Sequence, residues 1–278
     1  MGWSGSRQAC VGTDSVFGIF RAMDNGRLSL SSLRLLYCAS LLVLSSWVTA
    51  QTQGVGLVVL GNVQDGGYPH IGCERPDCRN LFLRPATSHH VVSLGIVERN
   101  RRQQFLFEAT PDLTKQAFLL SQETGGHKGM PDGIFLTHAH LGHYSGLGFL
   151  GREAMGARGV PVYAMPRLLD FFQTNGPWSQ LVKLENISLQ KLKSDSTINL
   201  NENIKIKPFL VPHRDEFSET VGYEITINNK SLVFIPDIDK WEKWETDIVQ
   251  LIQKVDYAFL DATFYKNGEL KRDMSEIP

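Results

Sequence analysis

Apolar residues run together or alternate with polar ones over Val55–Leu60, Val91–Glu98, Phe105–Glu108, Gly133–Thr137 and Val160–Ala164, each bounded by Gly, Pro or polar residues. Short runs of this kind, rich in β-branched and aromatic residues, predict strands. Helical patterns lie between some of them: Pro111–Leu120, opened by Thr110-Pro111 as cap and first-turn proline, then Tyr144–Met155 and Pro166–Gln173. From Ile204 onward strands dominate, over Ile204–Val211, Thr220–Ile227 and Ser231–Ile235, with Asn228-Asn229-Lys230 as a hairpin turn. A helix over Lys240–Lys254, with Trp241 and Trp244 on one face, and a last strand over Tyr257–Leu260 complete the pattern. Two strand-rich halves with covering helices predict stacked sheets flanked by helices, with functional residues on loops at strand ends.

Ahead of the first strand, residues 33–44 are apolar behind Arg21, Arg27 and Arg34, and the segment closes on Val48-Thr49-Ala50. This is the pattern of a secretory signal peptide cut after Ala50; polar Gln51-Thr52-Gln53 follows too soon for a membrane span. An uncleaved N-terminal anchor is the competing reading, and translation beginning at Met23 is a further one. Residues 1–50 are thus expected to be a leader or anchor and 51–278 a single domain, periplasmic or secreted, without stable membrane insertion. The net charge of −1, with both signs interspersed, offers no footprint for nucleic acid or an anionic membrane surface. A small molecule or peptide is the expected partner, and the oligomeric state is left open.

The chemistry concentrates in Thr137-His138-Ala139-His140-Leu141-Gly142-His143, directly after an apolar run. Imidazole is the commonest metal ligand near neutral pH, and a turn leaving a strand can aim several rings at one point, as zinc or iron requires. Other donors follow predicted strands too: Pro212-His213, Pro236-Asp237 and Asp261. Alone, His213 reads as a hydrogen-bonded histidine and Asp237 as a helix N-cap; the repeated placement at strand ends makes them ligands with the triplet.

The order His-x-His-x-x-His, single His, then Asp after a strand resembles the metallo-β-lactamase superfamily. That resemblance implies an α+β fold, the αββα four-layer sandwich, with His138, His140 and His213 at a first metal, His143 at a second and Asp237 bridging both. Leu60–Pro69, Val211–Asp215 and Phe234–Trp241 resemble more narrowly the branch that contains the pyrroloquinoline quinone biosynthesis protein B. Two departures matter. Gly142 stands where the usual motif has an Asp that binds the second metal, and no histidine follows His213 to supply the family's final ligand. The expectation is therefore one well-defined metal and a domain truncated at its C-terminus, with Asp at position 142, together with the missing His, raising the metal stoichiometry.

The resemblance implies a metal-dependent hydrolase of a small ester, lactone, amide or phosphodiester, using one catalytic zinc, with Asp237, Asp65 and Asp215 as candidate acids or bases. Asp65 also reads as a turn residue before Gly66-Gly67, and Asp215 as a solvated loop charge. Alternatives are a mononuclear iron oxygenase or hydroxylase, and a non-catalytic metal- or cofactor-binding carrier. Cys73 and Cys78, with His70 three residues upstream, form either a structural zinc knuckle, His89 and His90 being further donors, or a disulfide. The turn Asn175-Gly176-Pro177-Trp178 suggests a substrate-facing loop using Asn175 and Trp178; the other reading has Trp178 anchoring the loop to the core.

Overall fold

Period-two alternation sends Leu94, Ile96, Phe105 and Phe107 to one side of their strands and Val97 and Leu106 to the other, and both sides are buried. A sheet with two buried faces needs a layer on each. The computed structural model, which describes residues 54–84, 89–126 and 129–263, supplies both. The leader with its cut after Ala50, the start at Met23 and the C-terminal end lie outside the described residues. Among the described residues no helix is long and apolar enough to cross a membrane.

Strands β1 (Val55–Gly61), β2 (Ser93–Glu98), β3 (Gln103–Phe107), β4 (Gly133–Phe135), β5 (Val160–Ala164) and β6 (Ile187–Lys191) form one sheet in chain order. β1 to β3 are antiparallel and β3 to β6 parallel. The second sheet runs β11-β10-β9-β8-β7, from β7 (Ile198–Asn199), β8 (Ile204–Leu210), β9 (Val221–Ile227), β10 (Lys230–Ile235) and β11 (Tyr257–Leu260). Only the β10–β11 pairing within it is parallel.

Between the sheets Phe107, Phe135 and Tyr223 are fully buried, with Phe135 stacked on Tyr163 at 4.3 Å and Phe107 edge-on to Tyr223 at 5.3 Å. At about 1.5–3 kcal/mol per fully buried large side chain, this layer dominates the cohesion of the two sheets. The outer face of the first sheet is covered by α2 (Leu113–Glu123), α4 (Pro166–Thr174) and α5 (Trp178–Lys183), through Leu120, Leu168, Phe172 and Leu181. On the far side Trp241, Trp244, Ile248 and Leu251 pack on Val211, Ile235 and Ile238. The order is αββα, as expected.

Two helices differ from expectation. Tyr144–Met155 is not one helix: α3 (Leu141–Tyr144) passes at once into a 3₁₀ segment, Ser145–Leu150. There Gly146 is pressed against the Thr110 carbonyl so closely that a Cβ would stand 2.1 Å from it. Lys240–Lys254 is likewise broken into a 3₁₀ turn, Trp241–Lys243, and α6 (Ile248–Ile252), because Asp247 accepts from the Val249 and Gln250 amides and starts a new helix. Helix α1 (Pro76–Leu83), α5, β6 and β7 were not evident in the residue pattern.

Candidate metal centre

The His-rich turn leaves β4 at the edge where the sheets meet, and the second sheet holds it in place. The Tyr223 hydroxyl donates to the Leu136 carbonyl at 2.5 Å, the Val221 amide to Thr137 O at 3.2 Å, and the Ala139 amide to Ser218 Oγ at 2.8 Å. His140 is extended, at φ −95° and ψ 143°, and caps α3, so His143 follows one helical turn later with its amide on His140 O at 2.9 Å. His213 follows β8 and Asp237 follows β10; the Asp239 amide donates to Pro212 O at 2.9 Å and ties these two loops together.

One donor atom each from His138, His140, His213 and Asp237 lies within 4.8 Å of the others. His140 Nδ1 stands 2.9 Å from His138 Nε2 and 3.1 Å from His213 Nε2. Asp237 Oδ2 is 3.2 Å from His213 Nε2, 3.4 Å from His138 Nε2 and 4.0 Å from His140 Nδ1. Four donors about 2.1 Å from a tetrahedral ion stand about 3.4 Å apart, so this set fits a zinc-sized cation. The fit is chemical as well as metric, because two imidazole nitrogens face to face share at most one proton, whereas a cation satisfies both.

Each histidine is also held from behind. Thr137 Oγ1 lies 2.9 Å from His138 Nδ1, Glu216 Oε2 3.1 Å from His140 Nε2, and Asp239 Oδ1 3.2 Å from His213 Nδ1, with Lys243 in turn 3.0 Å from Asp239. Partners of this kind fix the tautomer and ring orientation of metal-binding histidines. His143 is fully buried, with Nδ1 3.5 Å from Glu108 Oε2 and Nε2 3.6 Å from Asp237 Oδ2. At those lengths the contacts are ionic and neither ring nitrogen is hydrogen-bonded.

The charges follow from this packing. Burial would raise Asp237, but the surrounding histidines hold it far below the usual carboxylate range. Burial would lower His143, yet Asp237 and Glu108 outweigh it and push the imidazole up to about 10. His138, more dependent on burial and facing a charged His143, is pushed well below its ordinary value. His140 is raised by Asp237 against burial, with help from Glu216. Burial pushes Glu108 up.

The structure thus brings together His138, His140, His143, His213 and Asp237. Several other expectations are corrected. Cys73 and Cys78 are joined in a disulfide, which consumes both thiolates that a structural zinc would need, and His70 pairs with Gln64. Asn175 donates to Phe171 O and Thr174 Oγ1 at the end of α4, and Trp178 packs edge-on against Tyr144 at 5.0 Å, which matches the reading of Trp178 as the anchor of this turn to the core. Asp215 accepts from Thr220 Oγ1 at 2.8 Å and braces its own loop. Asp261 turns its carboxylate to the Thr263 amide and hydroxyl. Glu108, Glu216 and Asp239 were missed. Only Glu108 carried a local signal, a carboxylate closing the apolar run Phe105-Leu106-Phe107.

Gly142 also proves to be a packing requirement: a Cβ there would stand 2.3 Å from Asp65 Cβ and 2.6 Å from Asp65 O. The expected gain of metal from Asp at position 142 is therefore withdrawn, since that side chain has no room. Gly142→Ala is expected to cost about 1–3 kcal/mol by overpacking. Chemical denaturation measures this; an unchanged midpoint would mean that the Asp65 turn moves aside freely.

A family model described as the beta-lactamase superfamily domain matches residues 103–277. A protein of Acinetobacter baumannii (strain ACICU) named coenzyme PQQ synthesis protein B is 26% identical over 241 residues, 78% of this chain and 76% of its own length. Among solved structures, Zn(2+)-bound PqqB from Methylobacterium extorquens superimposes with a TM-score of 0.52 at 20% identity, over 66% of this chain and 65% of that one, somewhat under two thirds of its length. A diphosphatase from the PhnP family gives a TM-score of 0.52 at 24% identity, over 75% of this chain and 73% of the other.

Proposed function

Because the chain belongs to the beta-lactamase superfamily, we propose that it is a metal-dependent hydrolase of a small ester, lactone, amide or phosphodiester, with zinc at His138, His140, His213 and Asp237. The observation that carries this reading is the convergence of those four donor atoms within 4.8 Å, with a polar partner behind each imidazole. When bound, the ion supplies polarisation of the substrate oxygen and acidification of water near neutral pH.

The chain's own residues supply orientation and charge. Asp237, facing three other ligands with one oxygen, serves as ligand and counter-charge. Exposed Glu216 sits on the solvent side of His140 and can pass a proton between the ring and water. Exposed Arg214 follows His213 directly and lies near enough to His140 to work against the rise that Asp237 causes there, which suits an anionic group on the substrate. Leu141 and Phe217, 67% and 59% exposed, are chain neighbours of His140 and Glu216 and offer apolar surface for its organic part. The name of the curated relatives, coenzyme PQQ synthesis, and a net charge of −1 favour a small molecule over nucleic acid as substrate.

The same set of three imidazoles and one carboxylate also suits iron(II) and dioxygen chemistry. Both readings are separated by assaying the chelated protein against aryl esters, lactones and phosphodiesters before and after zinc or iron(II) is returned. Zinc is expected to restore at least one hydrolysis that chelation abolished. Turnover that survives complete metal removal would overturn the hydrolase reading, and dioxygen consumption restored by iron alone would replace it with the oxygenase.

A further inference from the structure

The loop from β8 to β9, residues 211–220, carries His213 and is gripped from two sides. On one side it reaches the His-rich turn: Glu216 Oε2 lies 3.1 Å from His140 Nε2, and Ser218 Oγ accepts from the Ala139 amide at 2.8 Å. On the other side it meets the start of α4. Extended Met165 and Pro166 open that helix, and Glu219 Oε2 accepts the Arg167 amide at 3.0 Å, satisfying one of the donors that a helix start leaves without a partner. One turn further along the same face, Phe171 meets Phe217 with ring centroids 5.9 Å apart.

The side chain of Arg167 fixes what these contacts leave free. Its Nη2 donates to Asp215 O at 2.9 Å and to Glu216 O at 3.4 Å. Those carbonyls belong to the two peptide planes on either side of the Glu216 Cα, so the guanidinium sets the direction in which the Glu216 side chain leaves the loop. Arg167, Asp215 and Glu216 are all exposed, and water can therefore replace the guanidinium on both carbonyls without cost to the fold. Mobile water does not hold the two planes in register.

We propose that Arg167 is a positioning residue for the metal centre, aiming Glu216 at His140 Nε2 and so keeping His140 Nδ1 turned toward His138 and His213. The ring geometry fits this role, since His140 Nδ1 stands 2.9 Å from His138 Nε2 and 3.1 Å from His213 Nε2 while Glu216 holds the opposite nitrogen. A carboxylate on one imidazole nitrogen orients the other as a ligand. Helix α4, which contributes no donor to the cluster, thereby decides how firmly the ion is held. The inference rests on the reading that His140 binds a metal.

The test is the rate of zinc release from the full chain, disulfide intact, to an excess of chelator. Arg167→Met keeps the aliphatic stem and removes the donors. It is expected to release zinc about tenfold faster than the wild type, as Glu216→Gln should, with circular dichroism and melting temperature close to wild type. Because Arg167 acts through Glu216, the double variant should release zinc no faster than Glu216→Gln alone. Arg167→Lys keeps the charge without the planar fork and should fall between the wild type and Arg167→Met. In the metal-free protein, NMR of the His140 ring should show the same displacement of Nε2 in Arg167→Met as in Glu216→Gln. A wild-type release rate in Arg167→Met, or two effects that multiply in the double variant, overturns the role of Arg167 and leaves the metal reading standing. A wild type that binds no zinc overturns the metal reading, and the His140 ring then decides by itself whether Arg167 aims Glu216: an unmoved signal in Arg167→Met rejects it.

Discussion

Asp237→Asn is expected to empty the metal centre and abolish hydrolysis. The substitution keeps the shape of the side chain but removes the negative charge shared by His138, His140, His143 and His213, which it faces at 3.2 to 4.0 Å. Ligand loss removes the cation's stabilisation of developing charge, worth several kcal/mol, so kcat should fall by about a thousandfold or more. Elemental analysis and steady-state rates check this together; wild-type zinc content in Asp237→Asn would show that the carboxylate is no ligand. The metal-free protein gives a second readout. His143, raised to about 10 by Asp237 and Glu108, adds stability that is fully present below its unfolded value of about 6.5 and is lost as pH rises through about 10. The melting temperature of the metal-free wild type should therefore fall across that window, and Asp237→Asn should flatten the fall.

Glu108→Ala is expected to be the most destabilising single change near the centre, by about 3 kcal/mol in the metal-free protein. Glu108 is completely buried and faces His143 at 3.5 Å, and breaking such a pair leaves an imidazole charge in the interior with Asp237 as its remaining counter-charge. The backbone shows that this residue is held in place: φ is +75°, a left-handed conformation that costs a non-glycine residue about 1 kcal/mol or more. Glu108→Gly relieves that strain but also deletes the carboxylate, so it should lose less stability than Glu108→Ala and equally disturb His143. Denaturant titration of both variants, with the His143 ring followed by NMR, decides the matter. If Glu108→Ala unfolds at the wild-type midpoint, the pair does not hold the loop.

The candidate metal ligands were legible because each is a local event: a donor directly after an apolar strand, at Thr137-His138, Pro212-His213 and Pro236-Asp237. Parallel and hairpin-paired strands end at a common edge, so donors placed at strand ends meet without knowledge of the intervening loops. Trp178 and Asn175 had two readings because a glycine-proline turn with an aromatic has the composition of a binding loop, while contacts to Tyr144 and Phe171 come from elements distant in sequence or hidden in helix ends. Cys73 and Cys78 were ambiguous for a different reason: spacing of this kind serves either a disulfide or a zinc knuckle, and only a three-dimensional arrangement shows whether other donors gather there.

The family resemblance showed the motif carboxylate missing at Gly142; from residue order alone followed the layered α+β arrangement, most strand positions and the five candidate ligand residues. These depend on periodicity and on chain neighbours. Tertiary structure alone decided that Glu108, Glu216 and Asp239 stand behind the clustered histidines, that Tyr223 ties the second sheet to the His-rich turn, and that Asp65 occupies the space beside Gly142. Each of those contacts joins residues between 26 and 87 positions apart, or two loops with no shared pattern. Periodicity reports which face of an element is buried, but what a buried carboxylate meets is set by how the two sheets pack, and no local pattern encodes that packing.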